Sequence, residues 1–259
     1  MVRVKTPISK QQRQEQILAE VRANAAVRIA DLADRFGTST ETIRRDLDLL
    51  GRQGLLNRTH GGGTPPLAFE ADIRDRHRLM SRERWRIAQA AAALVEPGEA
   101  IMIDAGSTTL HLAIALADLN RPMVAVTNGL AIADALGKCA QIRVIVCPGE
   151  LNAPQSGLVG PETWQFLKRL NANRAFIGAS GLTTEGPTEA ESSMAWVKRA
   201  MIERARTTSL LIDHGKFNVD MLEVVCPLSA LHDVFTDQPP DTALVEALSG
   251  AATGLTVVA

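Results

Sequence analysis

Residues 27–63 read VRIADLADRFGTSTETIRRDLDLLGRQGLLNRTHGGG, and their hydrophobic pattern predicts two short helices joined by a turn. Apolar residues recur at helical spacing over residues 27–36, and Gly37 supplies the left-handed residue with which many helices end. Ser39 then occupies the position of an N-cap, where a hydroxyl accepts a backbone N–H of the next helix. Residues 40–53 continue as that second amphipathic helix.

The second helix carries an apolar stripe of Ile43, Leu47 and Leu50, so its charged residues lie on the opposite face. Two helices joined by a short turn are typical of the helix-turn-helix, whose second helix enters the DNA major groove by its N-terminal end. A helical hairpin with a solvated charged face is the alternative. The residues that we expect to meet DNA from this helix and its cap are Ser39, Thr40, Thr42, Arg44 and Arg45.

A short extended run at residues 55–60 follows, closed by three consecutive glycines. This pattern predicts a hairpin wing, in which Arg58 and His60 lie beside the DNA backbone or the minor groove. The run TIRRDL at residues 42–47 and the run RTHGG at residues 58–62 resemble the winged helix-turn-helix of the DeoR family of bacterial transcriptional regulators. The resemblance covers most of the first sixty residues.

Length and composition fit a large domain plus a small one, because 259 residues with 46% hydrophobic content can bury a full core. The apolar run at residues 88–95 is too short to span a bilayer, and the N-terminus lacks the apolar core of a signal peptide. We therefore expect a cytoplasmic protein with no membrane partner. Cys139, Cys147 and Cys226 are scattered in apolar contexts, which favours buried thiols over disulfides or metal ligands, and no cofactor is predicted.

Charge is divided unevenly along the chain. Residues 1–86 hold 17 Lys+Arg against 11 Asp+Glu, a balance of +6, and the remainder holds 11 against 18, a balance of −7, which together give −1. A basic surface favours phosphate contacts, and the basic part is the one with the helix-turn-helix pattern. Part of the excess comes from arginines at residues 74–86, which are also explained as solvated faces of a connector helix.

The chain divides into a DNA-binding domain at residues 1–63, a linker at residues 64–81 and a second domain at residues 82–259. Residues 1–9 read as a basic arm, and Ser9 is placed to cap a support helix. Ser81 is a candidate N-cap for a helix over residues 82–95.

After Gly98 the pattern changes to short apolar runs separated by helical segments. Strands alternating with helices predict an α/β domain with an open, largely parallel sheet covered on both faces. The predicted strands are residues 100–104, 123–127, 142–146, 175–177, 209–213 and 234–236, and the predicted helices between them include residues 108–119, 162–170 and 191–206.

Ligands of such sheets bind outside the carboxyl ends of the strands, and here five polar or glycine-rich loops follow predicted strands. The first loop opens a helix and offers backbone N–H groups and hydroxyls to a phosphate-sized anion. A phosphorylated polyol needs such donors, a cation, and carboxylate or amide acceptors for its hydroxyls. We therefore propose Ser107, Thr108, Thr109 and Lys216 for the phosphate and Asp104, Asn128 and Asp213 for hydroxyls. Either aspartate could instead hold Lys216 in place.

The same loops resemble the C-terminal effector domain of DeoR regulators. The matching motifs are Asp104-x-Gly106-Ser107-Thr108-Thr109, Thr127-Asn128, Gly157-x-x-Gly160, Phe176-Ile177-Gly178-x-Ser180-Gly181 and Asp213-x-x-Lys216-Phe217. The resemblance implies a fold similar to ribose-5-phosphate isomerase, a phosphorylated sugar as effector, and effector contacts that extend to Gly106, Thr127, Ser180 and Gly181. The loop pattern adds Gly149, although its loop, Pro148-Gly149-Glu150, departs from many relatives, which have two glycines before the acidic residue. Within the family, the Asp213-His214-x-Lys216-Phe217 motif most resembles glycerol-3-phosphate repressors.

Two functions follow from these patterns. The first is a ligand-controlled regulator, expected to be a repressor of carbohydrate or polyol genes, which binds double-stranded operator DNA. The second is a sugar-phosphate isomerase with a DNA-binding appendage. We favour the regulator, because fold alone does not establish catalysis. One such DNA-binding domain reads few base pairs, so a homo-oligomer, dimer or tetramer, is expected.

Overall fold

A computed structural model describes residues 9–23, 26–53, 55–64, 66, 73 and 80–258. The chain divides into two compact units, Met1–Ala71 and Asp72–Ala259. Most of the predicted arm and linker lies outside the described residues, as do three of the six arginines at residues 74–86. Within the described ranges, no helix combines the length and apolarity needed to cross a membrane.

The first unit is a three-helix core with a small sheet. Its elements are α1 (Lys10–Ala23), β1 (Val27–Arg28), α2 (Ile29–Phe36), α3 (Thr40–Arg52), β2 (Asn57–Thr59) and β3 (Gly62–Thr64). Ile17, Ile43 and Leu47 are completely buried at its centre. The predicted cap of α1 is confirmed, since Gln12 N donates to Ser9 Oγ at 3.2 Å. The wing is confirmed as the antiparallel hairpin β2–β3.

The predicted helix at residues 27–36 is wrong at its first two residues. Val27 and Arg28 form a strand that pairs antiparallel with Gly63 and Gly62, giving the sheet order β1-β3-β2. This pairing reaches across more than thirty residues of chain, so the local apolar pattern cannot show it. The helix begins at Ile29, and Gly37 ends it in the predicted left-handed conformation, with φ of 60°.

The second unit is built on a seven-stranded sheet. Its elements are α4 (Ser81–Ala92), β4 (Ala100–Ile103), α5 (Ser107–Leu119), β5 (Met123–Thr127), α6 (Leu130–Gly137), β6 (Ile142–Val146), β7 (Glu150–Asn152), β8 (Gly157–Val159), α7 (Pro161–Leu167), β9 (Ala172–Ile177), β10 (Gly181–Leu182), β11 (Pro187–Glu189), α8 (Ser192–Arg204), β12 (Ala205–Leu211), β13 (Glu223–Val224), β14 (Asp233–Thr236), α9 (Thr242–Gly250) and β15 (Gly254–Val257). The large sheet has the order β15-β14-β12-β9-β4-β5-β6, and all of its pairings are parallel.

Alternate residues of the central strands pack on opposite faces of this sheet. Ile101 and Ile103 share a core with α4, α5 and α6, whereas Met102 packs with α8 on the other face. The predicted α/β class and parallel sheet covered on both faces are confirmed. β15 was not predicted. The hairpin β7–β8 and the small sheet β10-β11-β13 lie outside the large sheet.

The predicted cap of α4 is wrong. Ser81 is the first helical residue, and Met80 precedes it in the left-handed region with φ of 52° and ψ of 31°. Cys139 and Cys147 are buried and Cys226 is partly buried, all as free thiols. Burial raises the pKa of Cys147 to about 12 and that of Cys226 to about 11, so these thiols are unreactive at neutral pH.

Candidate functional site

The start of α3 is an exposed and well-capped helix end. Ser39 has extended backbone angles, and its hydroxyl accepts the backbone N–H of Thr42 at 3.1 Å. The Thr40 side chain after it is exposed. A capped N-terminus directed at solvent is the part of a recognition helix that reaches base edges.

Arg44 and Arg45 share one carboxylate on the exposed face of this helix. Arg44 Nη1 lies 2.8 Å from Glu41 Oε2, and Arg45 Nε lies 3.1 Å from Glu41 Oε1. The two arginine side chains are 53% and 78% exposed. Exposed ion pairs contribute about 0 to 1 kcal/mol, so exchanging Glu41 for a phosphate or a guanine edge costs little.

Arg58 connects the hairpin wing to α3. Its Nε donates to Asp48 Oδ1 at 2.7 Å, and its Nη1 donates to the backbone oxygens of Thr59 and Gly62. Arg58 therefore has a structural role, and its contact with DNA stays a prediction. His60 is exposed at the turn of the hairpin.

Asp46 is a buried carboxylate of the first unit that sequence reasoning did not single out. Its side chain is 2% exposed and accepts hydrogen bonds from Arg13 Nε at 2.6 Å and Gln14 Nε2 at 2.7 Å. These bonds fix α3 to α1. The orientation of the recognition helix therefore depends on a charged contact as well as on apolar packing.

In the second unit, the loop after β4 opens α5. Gly106 is extended, and α5 begins with Ser107, Thr108 and Thr109, all of them buried. The first N–H groups of a helix have no acceptor within it, and they carry the positive end of the helix dipole. Thr109 Oγ1 donates to Gly106 O at 3.1 Å. This helix end has the properties of an anion site.

Beneath this helix end lies a buried ionic cluster. Lys198 Nζ donates to Asp104 Oδ2 and lies 3.3 Å from Glu189 Oε1. Ser180 Oγ donates to Glu189 Oε2 at 2.9 Å. Burial alone lowers the pKa of Lys198, but the two carboxylates outweigh it and raise the pKa above the ordinary value of 10.5. Lys198 is therefore charged at neutral pH.

A second buried pair joins α4 to the loop after β12. Arg84 Nε and Nη2 each lie 3.1 Å from Asp213 Oδ2, and both side chains are 4% exposed. Arg84 is therefore not the solvated connector residue that the sequence suggested, because Asp213 holds it inside the second unit. Lys216, in the same loop, is buried and donates to the backbone oxygen of Ala179.

The pKa values of His214 and His111 are shifted in opposite directions. A hydrogen bond with Asp237, 2.6 Å from His214 Nδ1, is the main cause that raises the pKa of His214. Burial of Asp237 raises its own pKa, but the hydrogen bonds from His214 outweigh this and lower it. His111 donates through Nδ1 to Ser107 O, and burial, aided by the charge of Arg84, lowers its pKa.

The remaining predicted effector residues hold loops together. Thr127 Oγ1 donates to Ile103 O at 2.7 Å, and Asn128 accepts from Ala105 N at 2.9 Å and donates to Leu158 O at 3.1 Å. Asn128 thus joins the loop after β4 to the β7–β8 hairpin.

Gly149 and Gly181 allow close backbone contacts. A Cβ on Gly149, whose φ is 144°, would lie 2.5 Å from Val159 O, and one on Gly181 would lie 2.0 Å from Val219 O. Both glycines have a packing role, and effector contact at these positions stays a prediction.

The carboxyl edge of the sheet thus brings together Asp104, the first turn of α5, Ser180, Asp213 and Lys216. Sequence reasoning assigned no site role to the neighbours of these residues, of which Arg84, Glu189, Lys198 and Asp237 are buried and His111 and His214 are partly buried. For two of these residues the sequence did offer an indication, because His214 and Asp237 each come directly after a predicted strand. Among the described residues, no cluster of His, Cys, Asp and Glu is arranged to hold a metal ion.

The chain matches two domain descriptions over its length. Residues 13–65 match the DeoR-like helix-turn-helix domain, and residues 80–238 match the DeoR C terminal sensor domain. The second match alone covers more than half of the chain.

Similar proteins agree with these matches. The chain is 31% identical over 240 residues to the glycerol-3-phosphate regulon repressor of Escherichia coli (strain K12), covering 92% of this chain and 95% of that protein. It is 32% identical over 229 residues to the L-fucose operon activator of Haemophilus influenzae, covering 87% and 91%. A solved ribose 5-phosphate isomerase A of Methanocaldococcus jannaschii is similar with a TM-score of 0.40 at 15% identity, covering 53% of this chain and 55% of that one. By its two matched domains and its full-length relatives, the chain belongs to the DeoR family of DNA-binding transcriptional regulators.

Proposed function

We propose that this regulator is a cytoplasmic repressor of sugar or polyol metabolism genes and that a phosphorylated sugar or polyol controls its binding to operator DNA. The observation that carries the proposal is the buried hydroxyl-rich start of α5 on the same sheet edge as Lys216. Helix N-terminal amides and a compact cation bind phosphate well. The similarity to a glycerol-3-phosphate regulon repressor supports glycerol 3-phosphate as the first compound to test.

The effector half of the proposal is tested by thermal shift on the full chain. The compounds are sn-glycerol 3-phosphate and other phosphorylated sugars and polyols of three to six carbons, each beside its unphosphorylated form. A ligand at 100 times its dissociation constant adds about 2.7 kcal/mol to stability. We expect a phosphorylated compound to raise the melting temperature while its unphosphorylated form does not. A uniform lack of response would overturn the sensing proposal.

The DNA half is tested with a fragment selected by the protein from a random-sequence pool. We expect the responsive compound to change the affinity for this fragment, measured by fluorescence anisotropy at one salt concentration. Arg45→Ala is expected to remove sequence-specific binding and to keep the thermal shift, because a bidentate arginine contact to guanine contributes about 1 to 3 kcal/mol of discrimination. Arg52→Ala, at the far end of α3, is the matched control.

We further propose that the working unit is a homo-oligomer, dimer or tetramer, acting on repeated half-sites, and that the protein has no catalytic activity. Light scattering of the free protein and of the DNA complex tests the first point. Sustained turnover of a pentose or triose phosphate by the purified chain would overturn the second in favour of an isomerase.

A further inference from the structure

The first turn of α4 packs against the loop that follows β12. Arg84 reaches Asp213 through two nitrogens at 3.1 Å. One turn earlier, Met80 Cε lies 3.7 Å from where a Cβ on Gly215 would stand. The charge of Glu83 contributes to the raised pKa of His214 in the same loop. The residue that precedes α4 and two residues of its first turn therefore lie close to a single loop.

This loop also contains Lys216, the cation assigned to the phosphate. It forms a single tight turn, in which Lys216 N donates to Asp213 O at 3.1 Å. Because Asp213 and Lys216 belong to one hydrogen-bonded turn, a displacement of the backbone at Lys216 would displace Asp213 as well. The Asp213 carboxylate carries both of the described hydrogen bonds that join Arg84 to the loop.

The residue at which the chain enters α4 is strained. Met80 is a long side chain held at φ of 52° and ψ of 31°, a region that residues other than glycine and asparagine rarely adopt. Strained backbone persists only where surrounding contacts hold it. The described contacts of Met80 include the hydrogen bond from Arg84 N to its backbone oxygen at 2.9 Å and the approach of its side chain to Gly215, so a change in the 213–217 loop changes part of what holds Met80.

We propose that Arg84 is a positioning residue that couples the effector site to the chain segment leading to the helix-turn-helix domain. An effector bound at Lys216 moves the 213–217 loop, Asp213 moves Arg84, and the first turn of α4 follows. This inference rests on the proposed sensing function. It requires that the effector bind the two arrangements of the loop unequally, because coupling between two sites arises only from such a difference.

The test uses the full chain with Arg84→Lys and Arg84→Gln, and with Arg82→Lys as a control on the exposed face of the same helix. The probes are sn-glycerol 3-phosphate, or the compound that the thermal-shift screen identifies, and the selected DNA fragment. For each variant, the ratio of DNA dissociation constants with and without the compound is measured. Hydrogen exchange over residues 80–92 is followed in parallel.

In the parent we expect the compound to change DNA affinity by about tenfold or more, within the range usual for allosteric proteins, and to change exchange in the first turn of α4. Arg84→Lys keeps the charge opposite Asp213 but loses the two-nitrogen contact. We expect its ratio to fall to within about twofold of one and its exchange response to vanish, with the thermal shift by the compound retained. Arg82→Lys should behave as the parent does.

A merely structural role for Arg84 would weaken stability and leave the ratio unchanged, and that result would overturn the inference. Arg84→Gln leaves Asp213 buried without this cation, so its DNA-binding ratio is interpreted only if its melting curve shows a folded protein. If that variant does not fold, the result for Arg84→Lys decides between the two roles. A parent with no response to any phosphorylated compound would overturn the sensing function and this inference together. A parent that responds, with Arg84→Lys responding equally, would overturn this inference alone.

Discussion

Replacing Lys198 with methionine would leave two buried carboxylates without the cation that they share. The side chains of Asp104 and Glu189 are 0% and 5% exposed, and removing one partner of a buried ion pair costs about 3 to 5 kcal/mol. The variant can limit this loss by protonating a carboxylate. For an aspartate with an ordinary pKa of about 3.9, protonation at pH 7 costs about 4 kcal/mol, so we expect a loss of that size.

The pH dependence of the variant's stability follows from the protonation of this buried carboxylate. In the variant the folded state binds one more proton than the unfolded state, so stability falls as pH rises. At pH 5 the protonation cost is about 1.5 kcal/mol, and the deficit should shrink accordingly. In the parent, the folded-state pKa of Lys198 lies above 10.5. Its contribution is therefore complete below that pH and is lost only as the pH rises through the folded-state pKa.

The loss of stability is measured by urea unfolding, with tryptophan fluorescence as the signal, since Trp85, Trp164 and Trp196 all lie in the second unit. The matched control is Lys138→Met, whose ammonium lies 3.1 Å from Asp134 with both side chains more than 70% exposed. Exposed pairs contribute at most about 1 kcal/mol. Equal losses in the two variants, or a Lys198→Met deficit that is the same at pH 5 and pH 7, would refute the assignment of a charged buried cluster.

Three further predictions concern single sites. Asp46→Ala removes charged hydrogen bonds to Arg13 and Gln14, each worth about 1.5 to 3 kcal/mol, so amide exchange in α3 should become faster, whereas unchanged exchange would contradict the clamp. Ala252 follows α9 with φ of 57°, in the left-handed region. A glycine there avoids a conformational cost of about 1 to 2 kcal/mol but loses about 0.4 to 1 kcal/mol through the greater entropy of the unfolded chain. Ala252→Gly should therefore raise the melting temperature of the second unit by about 2 °C, and a decrease would show that Ala252 is not strained. Proton NMR titration, assigned with single His→Gln variants, should place the pKa of His214 above 6.5 and that of His111 below it, and the reverse order would contradict the described contacts.

The fold was predictable where its signals are local. Apolar runs bounded by turn residues located six strands of the large sheet, and Gly37 and Ser39 located the turn between α2 and α3. β15 escaped because it is an edge strand whose residues are mostly exposed, so it lacks the continuous apolar run of a buried strand. β1 escaped because its partner is distant in sequence.

The candidate site was predictable only in its loops. Arg84 and Lys198 sit on helices, where a cation is usually solvated, and they are buried because of carboxylates 129 and 94 residues away. Burial of a charge depends on such long-range pairs. The sequence correctly placed Asp104 and Asp213 at the carboxyl edge of the sheet. It could not show that Asp104 contacts the buried Lys198 and that Asp213 contacts the buried Arg84.

The strand order of the large sheet also sets an order of events during synthesis. β4 lies between β5, which follows it closely, and β9, which is made much later. Roughly 70 residues separate the end of β4 from the end of β9, so at about 5 to 20 residues per second one edge of β4 stays unpaired for roughly 4 to 14 s. An unpaired apolar strand edge is a site for aggregation. Translational pauses between these two strands would lengthen that exposure, whereas pauses after β9 would not.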